Sequence, residues 1–233
     1  MDSYYLDEPL KEVDFVITAF QTAGYISFLA VKYLEEQKVI KDIGGINLDS
    51  MREFGDVSDG LIQSPIRILS SGSAIFIASQ FPLMQSAVEG LVGQISSICK
   101  KLKPKKIIAL DGINADSARE GSQVYYASND SKLKIDGAKK LEEGAIIGVN
   151  AHLSFMTKEL GIPMAILMAE THSSIPDGIA ASALISVLSQ MIGIKVDTSK
   201  LVSEYKKTIN KINELLKRVQ RPKQSEDTEN MYG

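Results

Sequence analysis

Cysteine is nearly absent. The single Cys99 excludes an internal disulfide framework and a cysteine-built zinc site, and suits a reducing compartment. It falls on an amphipathic helical pattern and reads as packed core, not as a nucleophile. No apolar run approaches the length of a membrane span. The amino terminus, M-D-S-Y-Y-L-D-E-P, carries acid where a secretory leader carries a basic and then an apolar region, so the expectation is a soluble, cytoplasmic protein without a membrane partner. A positive excess is missing as well. A net charge of -3 argues against a nucleic-acid partner, because phosphate binding needs a concentrated cationic face. Lys100, Lys101, Lys103, Lys105 and Lys106 crowd around Pro104, where a helix ends and a strand begins, and read as cations at a helix C-terminus and a solvated turn.

Signatures of catalysis are equally scarce. There is no G-x-x-x-x-G-K-[ST] phosphate loop, no G-x-G-x-x-G after a strand and no G-x-S-x-G elbow. The two histidines, His152 and His172, lie apart, and neither has a second histidine or a cysteine nearby. The expectation is a chain without cofactor or metal and without enzymatic activity.

What is present centres on Gly161 to Gly193. Pro163 can only start a strand, and Met164 to Ala169 form an unbroken apolar run, as in a strand buried on both faces. After the polar loop Glu170 to Asp177, apolar residues at Ala180, Ala183, Leu184, Val187, Leu188 and Met191 recur at helical spacing, and Gly193 closes the helix. This is half of a βαβ unit. A second strand-to-helix unit runs from Asp14 to Phe20 and then through Ile26, Leu29, Ala30, Tyr33 and Leu34. Ile43 to Leu48 is a further strand, and Ile66 to Ser70 with Ala74 to Ala78 flank Ser71-Gly72-Ser73 as a hairpin. Leu83 to Lys101 is an amphipathic helix, Lys106 to Leu110 a buried strand and Val124 to Ala127 a short strand. Gly144 to Gly148 leads into an apolar helix, Val149 to Leu160, with His152 expected to pack inside it. With 233 residues and 44% apolar content, this alternation implies one α/β domain over residues 1–197, a doubly wound and mostly parallel sheet.

From Thr198 the character changes. Tyr205, Ile209, Ile212, Leu216 and Val219 recur at alternating steps of four and three, with charged residues on the other faces, so residues 198–221 form an amphipathic helix. Its narrow seam fits docking on the body and packing on another subunit equally well. Pro222 ends the helix, and residues 222–233 are polar, acidic and unable to bury enough surface to order themselves. The expectation is a flexible tail with a reach of roughly 40 Å at about 3.3–3.6 Å per residue. It ends in Met231, Tyr232 and Gly233, which offer an apolar side chain, a phenol and a terminal carboxylate to a partner.

The loop beyond the central strand carries Glu170, His172 and Asp177, at the carboxyl end of the sheet where ligands of open α/β folds bind. One histidine and two acids specify no reaction. Glu170 serves equally to cap a turn or pair with a lysine, and the three residues together define a pocket and no mechanism.

Taken together, V-I-T-A-F from Val16, G-L-I-Q-S-P from Gly60, I-I-A-L-D-G-I from Ile107, G-A-I-I-G-V-N-A-H-L from Gly144, and the ordered Gly-Ile-Pro, Glu-Thr-His, Pro-Asp, Ala-Ala and Val-Asp between Gly161 and Asp197 resemble the proteasome assembly chaperone 2 family in its archaeal branch. The resemblance implies an α/β fold similar to nucleoside phosphorylases, no established catalytic activity, and assembly into homo-oligomers. It also implies a role for the tail. Met231-Tyr232-Gly233 looks like the hydrophobic-tyrosine-any motif inserted between α-subunits of the 20S proteasome: Met231 for the apolar part of the pocket, Tyr232 for its rim, and the Gly233 carboxylate for a lysine. The expected partners are therefore 20S α-subunits or the α-ring, and other copies of this chain. Two alternatives follow from the same residues: a regulator of the mature 20S particle, and a nucleoside-phosphorylase-like enzyme built on Glu170, His172 and Asp177.

Overall fold

The computed structural model describes residues 2–10, 12–20, 25–58, 60–114, 122–171 and 176–219. A short strand β1 (Ser3–Leu6) precedes β2 (Phe15–Ala19), whose β-branched and aromatic residues suit a buried strand. Helix α1 (Ile26–Glu36) turns Ile26, Ala30, Tyr33 and Leu34 inward. Next come β3 (Lys41–Asn47), a small hairpin of β4 (Asp56–Ser58) and β5 (Leu61–Gln63), and the larger hairpin of β6 (Ile66–Ser71) and β7 (Ala74–Ala78). The long helix α2 (Gln85–Leu102) ends at Lys103 in the left-handed conformation, one residue before Pro104. Strands β8 (Lys106–Asn114), β9 (Val124–Ser128) and β10 (Lys139–Lys140) lead to α3 (Val149–Leu160), β11 (Met164–Thr171), α4 (Gly178–Ile192) and α5 (Ser199–Val219).

Nine of these strands form one sheet in the order β1-β3-β6-β7-β2-β8-β11-β9-β10, with β4 and β5 paired apart from it. The sheet is mixed. Its centre, β7-β2-β8-β11, is parallel as the alternation of strand and helix requires. The edges are largely antiparallel: β1, β3 and β6 pair antiparallel on one side, and β9 runs antiparallel to β11 on the other, where the two-residue β10 joins β9 in parallel. The long parallel pairings lie among strands with a helix before or after them, because a hairpin reverses the chain.

Successive strand residues face opposite layers, and β11 shows how the core divides. Ala165, Leu167 and Ala169 face α1 and α4, while Met164, Ile166 and Met168 face α2 and α3. Both layers are apolar and buried, and this explains the unbroken apolar run. Cys99 is buried in the second layer, and burial pushes its thiol up to about 12. The expectation for His152 is corrected here: α3 buries Asn150, Leu153, Met156 and Thr157, a phase that leaves position 152 on the solvent face.

At the edge of the α1 layer, Arg67 on β6 joins three elements. Its guanidinium donates to Glu35 of α1 and, at 2.5 Å, to Asp42 of β3, and it stands 3.8 Å from Asp56 of β4. Burial works against this charge, but the hydrogen bonds it donates to Glu35 and Asp42 outweigh it and hold the pKa above the ordinary arginine value. Gln80 also donates to Asp56, so the β4–β5 hairpin is fastened to the body although Val57, Leu61 and Ile62 on it are exposed.

Candidate functional site

The carboxyl ends of β2, β8 and β11 meet the amino end of α3 around a cavity of about 490 Å³. Phe20, Ile166 and Met168 line its apolar side, and Asp111 and Asn150 its polar side. Asn150 is buried in the first turn of α3, and its amide donates to Asp111 Oδ2 at 2.7 Å. The other oxygen of Asp111 accepts the Gly112 N–H at 2.7 Å. The Gly144 to Gly148 loop passes over this cavity, and Gly148, at φ 68° and ψ -147°, occupies a region open essentially to glycine alone. Its neighbour Ile147 is exposed. Among the described residues the charged groups lining the site are Asp111 and Glu143, both acids, which does not favour an anion at the glycines of this loop. Asp111 and Asn150 escaped the sequence reading. The D-G after an apolar strand was a signal for the first, but nothing local announced their pairing.

Of the three loop residues singled out in the sequence, His172 lies outside the described residues, and the other two sit on different sides of the sheet. Asp177 is the N-cap of α4: Oδ1 accepts the N–H groups of Ile179 and Ala180 at 3.0 and 3.1 Å, and Oδ2 accepts the Thr171 hydroxyl at 2.8 Å. Thr171 therefore faces the α4 layer. Glu170, its neighbour on the strand, faces the opposite layer, by the same alternation that divides the core. Its backbone is held by Gln123 and Ser122, while Oε2 is buried with no hydrogen-bond partner among the described residues. Glu170 is not among the residues lining the cavity. Among the described residues no group of three His, Cys, Asp or Glu could hold a metal ion.

The role of Asp177 as a cap has a measurable consequence. Asp177→Ala is expected to lower unfolding free energy by about 1–2 kcal/mol in urea denaturation, and Asp177→Asn, which retains a capping oxygen, by distinctly less. Equal losses in the two variants would mean that charge, not capping geometry, is what position 177 contributes.

Met231, Tyr232 and Gly233 lie outside the described residues, as does all of 220–233. What is described is the helix that leads to them. α5 starts beside the core, where the Tyr33 hydroxyl donates to the Asp197 carbonyl at 2.7 Å and Asp197 accepts the Ser199 N–H at 2.9 Å. No helix among the described residues is long and apolar enough to cross a membrane.

Comparison with known proteins agrees with this architecture. Pyrococcus furiosus PbaA, described as an archaeal homolog of proteasome-assembly chaperone, superposes with a TM-score of 0.83 at 20% identity, covering 93% of each chain. P. furiosus PbaB, described as an archaeal proteasome activator, gives 0.77 at 17% identity over 94% of this chain and 99% of its own. A PAC2 family protein from Streptomyces avermitilis gives 0.67 at 16% identity over 87% and 96%. Among curated proteins none matches the sequence. These likenesses fix the fold. The sequence itself matches the PAC2 family model over residues 16–216, from the second strand of the sheet to the last helix, and the chain belongs to the PAC2 family.

Proposed function

We propose that this protein is a non-enzymatic, homo-oligomeric chaperone of proteasome assembly that binds 20S α-subunits or the α-ring through Met231, Tyr232 and Gly233. The observation that carries the reading is the family match over residues 16–216, on a fold shared with a homolog of proteasome-assembly chaperone. The chemistry of the carboxyl terminus supports it: an apolar side chain, a phenol and a carboxylate in sequence suit a slot with an apolar wall, a polar rim and a cation. Several weak tails on one oligomer bind a ring of repeated sites with avidity, provided their spacing matches.

Deleting Met231 to Gly233 is expected to abolish pull-down of α-subunits and of 20S particles, with circular dichroism and the subunit number read from native mass unchanged. Retained binding would overturn the tail mechanism. A second reading, a regulator that docks on the mature 20S particle, draws on the likeness to PbaB. Peptidase turnover by mature 20S separates the two, because a chaperone speeds assembly and leaves that turnover unaltered. The nucleoside-enzyme reading gains no support from Glu170 and Asp177, which face opposite layers of the sheet.

A further inference from the structure

The layer between the sheet and helices α2 and α3 is built of apolar side chains, and it changes character at one end. Polar groups gather there, at the carboxyl ends of β2, β8 and β11. On the face of the sheet that meets this layer, Asp111 lies beside Met168, and one pleat further on Ile113 lies beside Glu170. Asn150, 4% exposed, meets Asp111 from α3. Thr18, 1% exposed, stands one pleat before Phe20 on β2 and beside Ala109 on β8. Phe20, Asp111, Ile113, Asn150 and Met168 line the cavity described above, and Thr18 and Glu170 border these lining residues.

Burying polar groups among hydrocarbon costs free energy unless each finds a partner. The Asn150 amide and Asp111 have met, whereas the Thr18 hydroxyl and Glu170 Oε2 are buried with no hydrogen-bond partner among the described residues. A core that served packing alone would close this space with aliphatic side chains. Here it stays open at about 490 Å³, within the size range of small-molecule sites and many times one water molecule. The charge around it has one sign: Asp111 and Glu143 line it, Glu170 is adjacent, and no cation is among the described lining residues.

We infer that this cavity binds a small organic cation: a primary amine carried on an aryl or alkyl body. Phe20, Val88, Ile166 and Met168 receive the body, and the ammonium lies toward Asp111 and Glu143. An ammonium suits these acids because it is a compact charge with three donors and no acceptor, so every group it presents meets an oxygen. Negative charge at the wall rejects carboxylates and phosphates, and in an apolar surround that discrimination is stronger than in water. The Gly144 to Gly148 loop lies over the occupant, and Gly148 gives it the turn into α3. The site is on the body of the fold, so it stands whether or not the carboxyl-terminal residues dock on a proteasome.

Calorimetric titration of the full chain with phenethylamine, 2-phenylethanol and phenylacetate, which share one body and differ in charge, tests this. Phenethylamine is expected to bind about tenfold or more tighter than the alcohol, with phenylacetate weakest. In NMR spectra of protein labelled at the methionine methyls, Met168 should shift on binding and Met51, which does not line the cavity, should not. Asp111→Asn keeps the shape and removes the charge, and should weaken the amine about tenfold while leaving the alcohol unchanged. Because Asp111 also holds Asn150, Glu143→Gln on the exposed loop serves as the variant that leaves the fold intact, with an expected loss of about two- to fivefold for the amine alone. Val88→Phe fills the apolar end and should abolish binding of both. The proposal is overturned by equal affinity for amine and alcohol, by preference for phenylacetate, or by binding that leaves Met168 unmoved or survives Val88→Phe. It is equally overturned by the lack of saturable phenethylamine binding up to about 10 mM, the weak limit for a ligand of this size.

Discussion

Replacing Arg67 by alanine is expected to cost about 3–5 kcal/mol of unfolding free energy, a loss read directly in urea denaturation. The side chain is 13% exposed, and its Nε donates to Asp42 while Nη1 and Nη2 donate to Glu35, with Asp56 behind. Alanine removes the cation and leaves three carboxylates close together at a half-buried site, so the penalty is the stranded charge and not merely the lost contact. Two companion variants separate these causes. Arg67→Lys keeps the charge and loses the planar fork, and should fall between wild type and alanine. Arg67→Met combined with Glu35→Gln and Asp42→Asn removes the cation and its two hydrogen-bonded anions, leaving Asp56 alone, and should recover a large part of the loss. A loss below about 1 kcal/mol for alanine would place the cluster in the class of solvent-screened surface pairs. The β4–β5 hairpin reports the same event locally: with Arg67 gone, Gln80 is the side chain that ties Asp56 to the body among the described residues, and proteolysis within the hairpin should accelerate.

Nothing in the local sequence announces Arg67, and the reason is general to the molecule. Elements whose stability is written in their own residues were legible: the apolar run of β11, the capped and glycine-terminated α4, the amphipathic α2, and the hairpin around Gly72 all stand where periodicity and turn chemistry place them. Elements that exist through a partner were not. β1 alternates between exposed and half-buried residues and is a strand only because β3 offers it an open edge. β4 and β5 are three residues each and pair as strands only with one another. β8 continues four residues past Leu110 through Asp111 and Gly112 because β11 supplies the ladder as far as Asn114. That same extension decides the loop residues. Counting β11 to Thr171 instead of Ala169 puts Glu170 inside the strand, and alternation then turns it away from Thr171 and Asp177. Arg67 meets its partners across 25 and 32 residues of chain, a separation that no window of sequence spans.

Gly178→Val is expected to destabilise the fold by about 1–3 kcal/mol and to lift α5 from the body while the sheet stays intact. A Cβ at position 178 would stand 2.7 Å from the Tyr205 Cβ and 3.4 Å from the Leu201 carbonyl oxygen. Both carbons of the first contact are fixed by backbone, so no rotamer change relieves it and the two helices must separate. Hydrogen exchange should show the amides from Leu201 to Tyr205 losing protection while those of β11 keep it. The geometry also dictates the rescue: Tyr205→Ala retains the clashing carbon and should not restore docking, whereas Tyr205→Gly removes it at a helix cost of about 1 kcal/mol. The functional consequence turns on how the tails act. If their spacing is set by α5 on its body, Gly178→Val weakens α-subunit binding although Met231, Tyr232 and Gly233 are untouched, because avidity falls when the origins of the tails are no longer fixed. If binding is unchanged while α5 is loose, each tail acts as an independent ligand, and the body serves only to hold copies together.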